Sequence, residues 1–284
     1  MTSRRVAILI DGGFFLKRLP KLVPSNFCDS AEGVARCIRI MCRSHVRQLT
    51  GADKERWQDD VYRIFFYDAV PYAGSAHHPL ENRPIDFGKS ATAVFRRELF
   101  DILRRQRKVA LRLGKVNRES DWAPPGDKVR KLLGTKSWLE GLDLDAVQQG
   151  ASLTLTPEQL AEARRLKARW DEITPANVRL GLRQKGVDMR IGLDIASITL
   201  KRQADIILLV AGDSDFVPAA KLARREGVEF ILDPLWQAIN ADLFEHIDGL
   251  QSGLRKPKSK AAVAAIEAAD AANLPPEPNE PEDD

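Results

Sequence analysis

Residues 204–216 read ADIILLVAGDSDF, and from Ile206 to Ala211 no polar side chain interrupts the run before it breaks at Gly212-Asp213-Ser214-Asp215. A short aliphatic run with no polar face is the mark of a central parallel strand covered on both sides. Parallel strands need crossover helices on both faces, so this one stretch already argues for an α/β fold. Other strand-like segments agree with it. RVAILI (5–10) runs into Asp11-Gly12-Gly13, VYRIFFY (61–67) ends at Asp68, and VEFILDP (228–234) follows. Two further segments alternate with period two: VALRLGKV (109–116) and VRLGLRQ (178–184). They are expected to be strands, paired with each other.

Helical spacing occupies much of the remainder. Residues 30–49 place apolar side chains on one face, with Ser30 as N-cap. A second helix is expected over 90–107. A third opens at Thr156-Pro157-Glu158-Gln159, a capping-box spacing with proline in the first turn, and runs to about Asp171. In the stretch 185–203 an extended piece gives way to a helix from about Leu193. Asp215 is expected to cap the helix after the apolar strand, and a short helix near 240–246 closes the domain. Residues 72–88, rich in Pro, Gly, His and Asn, read as a loop. The expected organisation is one domain over 1–250, with an insertion at about 117–176 carrying Trp122, Trp138 and Trp170, and a charged disordered tail over 251–284. The insertion fits either a cover or partner-binding element or a simple decoration.

Composition narrows the function classes. No run approaches the roughly 18 apolar residues a membrane helix needs. The apolar part of the N-terminus is too short for a signal peptide, so a cytoplasmic protein with no membrane partner is expected. Cys28, Cys37 and Cys42 show neither C-x-x-C nor matching histidine spacing, which leaves them as reduced thiols. The chain carries a net charge of +4. The tail has four basic against seven acidic residues, so the body holds +7. A basic body suits a polyanion, and equally suits a solvated surface.

The chemistry resides in carboxylates. In a parallel sheet, ligands bind beyond the carboxyl ends of the strands. Asp11 ends the first strand, Asp213 and Asp215 end the most buried one, and Asp194 opens the helix before it. Each alone fits a turn or a cap. Together at one edge they repel, and a cation relieves that cost. Oxygen-only ligands favour a hard ion, Mg²⁺ or Mn²⁺, which activates water and stabilises charge on a phosphate. Asp68 is read as structural, His77 and His78 receive no duty, and Trp236 is read as a core side chain or a stacking platform.

IDGGFF, KGVDMRIGLDIA and VAGDSDFVPAAKLARREG resemble the three signature blocks of NYN-domain proteins of the LabA-like group, over about residues 4–250 without the insertion. The resemblance implies a PIN-like three-layer sandwich, a mostly parallel sheet with helices on both faces. It also implies a Mg²⁺ or Mn²⁺ site hydrolysing RNA phosphodiesters, with Asp11, Asp194, Asp213 and Asp215 as catalytic and metal-binding residues. Lys185, Asp188 and Ser214 are the weaker substrate-binding candidates. Many relatives place Asn where this chain has Phe14. The expected activity is a metal-dependent endoribonuclease on single-stranded RNA. The alternative is a non-catalytic PIN-like module holding RNA or a protein through the insertion or tail. A hydrolase of small phosphates ranks last, because Asp11 is followed by Gly12-Gly13 and not by a second nucleophilic acid.

Overall fold

In a computed structural model, residues 4–53, 55–142 and 154–256 are described. The chain divides into two compact units. The first comprises residues 1–71, 90–115 and 184–284, the second residues 72–89 and 116–183. The expected insertion thus belongs to a larger second unit that also takes in the segment 72–89.

The first unit is built on parallel strands. β1 (Val6–Asp11) pairs with β2 (Val61–Val70) on one side and β7 (Ile206–Val210) on the other, and β8 (Glu229–Asp233) follows β7. With β5 (Val109–Ala123), β6 (Arg179–Lys185) and β9 (Gly249–Leu250), the order is β6-β5-β2-β1-β7-β8-β9. The adjacency of β5 and β6 bears out the expected pairing. Val6 to Ile10 and Ile206 to Val210 are all fully buried, as the unbroken apolar runs required. Burying each such side chain contributes about 1.5–3 kcal/mol before the entropy of ordering is charged against it.

The two faces divide by parity. Val6, Ile8, Ile10, Ile206, Leu208 and Val210 share one core cluster with Val34, Ile38 and Met41 of helix α2 (Ala31–Thr50) and Leu99 and Leu103 of α3 (Ala91–Arg104). The opposite face is covered by α7 (Val187–Leu200), which packs on β1 and β2, and α8 (Val217–Arg225), which packs on β8. The fold is an α/β sandwich with helices on both faces of a mostly parallel sheet. Ser30 caps α2 as expected, its hydroxyl accepting from the Gly33 N–H.

Several expectations are corrected. The Asp11-Gly12-Gly13 turn opens a helix, α1 (Gly12–Arg18). Helix α7 begins at Val187, six residues before the expected start. Gly186 adopts φ +76°, a left-handed turn that lets strand β6 pass directly into a helix. The helix after β7 is not capped by Asp215; Asp213 caps the 3-10 turn Ser214–Phe216 by accepting from the Asp215 N–H. Trp236 is neither core nor fully free: it is 46% exposed, and its indole N–H donates to the Leu254 carbonyl. Residues 251–254 are ordered against β8, since Gln251 and Gly253 donate to Leu232 and Asp233. The remaining tail, from 257, lies outside the described residues.

In the second unit, the expected 72–88 loop contains an antiparallel hairpin, β3 (Ser75–His78) with β4 (Arg83–Asp86). The Thr156 capping box is present and opens α6 (Pro157–Asp171), which packs on α4 (Gly126–Leu133). A shorter helix, α5 (Lys136–Glu140), precedes it. Among the described residues no helix is long and apolar enough to cross a membrane.

Candidate functional site

Parallel register sets the first distances. Ile10 pairs with Val210, so β1 and β7 end side by side, and Asp11 and Asp213 emerge from neighbouring strand ends. Asp11 also caps α1, its Oδ1 accepting from the Phe14 N–H at 3.0 Å. A cap usually lowers a carboxyl pKa, yet here burial outweighs it. The Asp11 carboxyl is pushed up to about 6, first by desolvation and then by the negative charges of Asp188 and Asp68.

Asp188 links the acids. Its carboxyl is raised by partial burial and by Asp213 and Asp215. The electrostatic chain therefore runs Asp68, Asp11, Asp188, Asp213 and Asp215. Asp194 is held by other partners. Its carboxylate accepts from the Tyr67 hydroxyl at 2.8 Å and is gripped by Arg112, with Nε at 2.9 Å and Nη2 at 3.2 Å. Helix geometry explains the split. Six residues at about 100° each put Asp188 and Asp194 roughly 120° apart around α7, on opposite flanks of its buried stripe Val187, Ile191, Ile195 and Ile198.

Asp68, read from sequence as structural, is fully buried behind Asp11. Its Oδ1 meets Arg96, the Gln184 amide and the Ala69 N–H, while its Oδ2 has no hydrogen-bond partner among the described residues. Burial raises its pKa and the Arg96 guanidinium opposes the rise. Gln184, which sequence reasoning passed over, donates its amide to Asp68 and brings its Oε1 to the same side of Gly13 as Asp11. A methyl group on Gly13 would stand 3.4 Å from both Asp11 Oδ1 and Gln184 Oε1. No spacing signal announces Gln184, because it reaches the site from the end of a different strand.

Phe14 packs its ring into the space of Gly212. A Cβ there would come within 2.5 Å of the ring and 3.0 Å of the Gln237 amide. The glycine before Asp213 is thus required by close approach.

The donor set suits a hard cation: oxygen-only carboxylates near enough for Asp188 to act on Asp11 and for Asp213 and Asp215 to act on Asp188, beside a buried carboxylate oxygen of Asp68 with no partner among the described residues. The set is open. Among the described residues, the one group of three ligand atoms lying within 4.8 Å of one another is Asp242, Glu245 and His246 on helix α9 (Ala241–Glu245) and just after it, and these acids are exposed.

The raised Asp11 carboxyl makes a pH prediction. Between its unfolded value of 3.8 and its folded value of about 6, the native protein holds a proton that the unfolded chain has lost. Stability of metal-free protein therefore falls as pH rises through that window and levels off above it. Denaturant unfolding in chelator between pH 4 and 7 should show this decline in the wild type. The Asp11→Asn variant should show a smaller one. Equal slopes in the two proteins would remove the burial argument.

Fold and edge together define an α/β protein whose strands deliver acids to their carboxyl ends. Residues 152–244 match the NYN domain, a span that includes Asp188, Asp194, Asp213 and Asp215 and begins after Asp11. No curated protein and no solved structure matches the chain.

Proposed function

We propose that the first unit is a divalent-metal-dependent endoribonuclease of the PIN-like type, LabA-like in its signature blocks, hydrolysing phosphodiesters of single-stranded RNA. The observation that carries the reading is the continuous electrostatic chain from Asp11 through Asp188 to Asp213 and Asp215 at the ends of two adjacent strands. In this reading Asp11, Asp188, Asp213 and Asp215 hold Mg²⁺ or Mn²⁺, so Asp188 takes the place that sequence reading assigned to Asp194. The bound ion supplies an activated water and charge stabilisation at the phosphate. Asp68, anchored by Arg96 and Gln184, backs Asp11 from the end of β2. Asp194 acts as a brace, tying α7 to Tyr67 of β2 and Arg112 of β5. Lys185 and Ser214, in the same two sequence blocks as the acids, are assigned to the phosphate backbone.

A non-catalytic RNA-binding module is the second reading. The packing of Phe14 against Gly212, where a polar group is usual, favours it. Incubation of the purified protein with labelled single-stranded RNA separates the two. Cleavage should appear with added Mn²⁺, vanish in chelator and return when the ion is restored. Retention of RNA without any cleavage across metals selects the second reading, and cleavage indifferent to chelator overturns the first.

A further inference from the structure

The second unit contains a cavity of about 660 Å³ that the proposed nuclease chemistry does not use. It is an open groove lined by hairpin β3–β4, the outer part of β5 and the segment 174–180, with Trp122, Phe87, His78, Arg83 and Arg179 in its wall. We infer that this cavity receives an unpaired nucleotide of a single-stranded RNA, a binding subsite separate from the acidic edge. The inference rests on the RNA reading above and deepens it.

The wall is aromatic and cross-braced by hydrogen bonds. His78 meets Trp122 edge-on with ring centroids 4.7 Å apart, and Phe87 lies 6.0 Å from Trp122 and 5.8 Å from Tyr72. His78 is almost fully buried, and both its nitrogens are committed. Nε2 faces the Pro175 carbonyl at 3.2 Å, and Nδ1 accepts from the Leu80 and Glu81 N–H groups. It is a strut that joins the hairpin to the 174–180 segment. The Trp122 ring, by contrast, is only partly buried, and its indole N–H has no acceptor among the described residues. An ordered aromatic wall with an unused donor suits a base, which offers a π-face to stack and acceptor atoms on its edge.

Charge selects the ligand class. Arg179 is exposed at the wall and has no ion-pair partner among the described residues, whereas Arg83 is held by Glu81 at 2.7 Å. An unpaired guanidinium beside aromatic rings complements a phosphate next to a base. An apolar peptide would leave that guanidinium unused. The cavity is also within the size range of small-ligand sites and large enough for one nucleotide.

The test measures binding in chelator, so that cleavage cannot interfere. Fluorescent ten-nucleotide single-stranded RNA is titrated with full-length wild type, Trp122→Ala, Trp122→Phe, Arg179→Glu and Asp213→Asn. Loss of one stacking contact is expected to weaken binding roughly tenfold or more in Trp122→Ala. Trp122→Phe should lose less, and Arg179→Glu, an exposed change that leaves the fold alone, should also bind several-fold more weakly. Wild-type affinity in both Trp122→Ala and Arg179→Glu overturns the inference and leaves the nuclease reading standing. Absence of RNA binding by the wild type overturns both. If Asp213→Asn cleaves normally in Mn²⁺ while Arg179→Glu binds weakly, the acidic site fails and the subsite holds. A mononucleotide that competes as well as the strand would make the cavity a nucleotide site and overturn its assignment to RNA. So would an acidic peptide that competes better than either.

Discussion

Asp188→Asn and Asp213→Asn are each expected to lower Mn²⁺-dependent RNA cleavage by about two orders of magnitude or more, the scale of losing a transition-state charge stabiliser. Asp194→Asn is expected to lower it far less. The reason is position. Asp188 carries the electrostatic link between Asp11 and the Asp213–Asp215 pair, and its carboxyl is pushed up by both of the latter. Replacing it with a neutral amide removes charge from where an ion would sit. Asp194 instead satisfies Tyr67 and Arg112. Its loss leaves a half-exposed guanidinium without a counter-charge, which costs stability on the order of 1 kcal/mol and not the chemistry. The fold should survive all three changes. Asp188→Asn should melt no lower than wild type in chelator, because repulsion between acids is relieved. Single-turnover rates with Mn²⁺, alongside thermal melts, check both halves. Activity lost in Asp194→Asn and kept in Asp188→Asn would return the metal site to the assignment made from sequence.

Asp233→Ala is expected to be the most destabilising single substitution among the polar residues of the first unit, at about 3–5 kcal/mol. The side chain is fully buried at the end of β8 and accepts four hydrogen bonds. His45 of α2 approaches at 2.7 Å, the Leu235 N–H at 2.8 Å, the Ser252 hydroxyl at 2.9 Å and the Gly253 N–H at 3.0 Å. Alanine would strand all four donors, and each buried unmet donor costs about 1–3 kcal/mol. The melting temperature should fall by roughly 10 °C in a unit of this size. Asp233→Asn, which keeps one acceptor oxygen, should fall by less. A loss under 1 kcal/mol for the alanine variant would show that the neighbourhood relaxes to satisfy itself. Because Asp233 lies on the strand next to β7, local loosening there is also expected to lower RNA cleavage.

Much of the architecture was written in local patterns. The strands β1, β2, β7 and β8 announced themselves because a strand buried on both faces tolerates no polar residue, and the runs RVAILI and IILLVA have none but the leading arginine. The Ser30 cap and the Thr156 capping box were legible for a similar reason: each is a contact between residues three apart. What stayed hidden was nonlocal or balanced by opposing tendencies. The β3–β4 hairpin lay in a segment whose Pro, Gly and Asn content reads as loop, and its ordering comes from His78 bonding to Pro175, 97 residues away. The early start of α7 depended on a left-handed Gly186, whose conformation a glycine permits but does not demand.

The acids show the same division most clearly. That carboxylates gather beyond the carboxyl ends of parallel strands follows from Asp11 and Asp213 closing apolar runs, and needs no coordinates. Which acid of α7 faces them does not follow, since KGVDMRIGLD offers Asp188 and Asp194 equally. Only the packing of Ile191 and Ile195 against the sheet sets the helix's rotation, turning Asp188 toward Asp213 and Asp215 and Asp194 toward Tyr67 and Arg112. A strand's burial is decided by its own residues, whereas the direction of a helical side chain is decided by what the opposite face of that helix is pressed against.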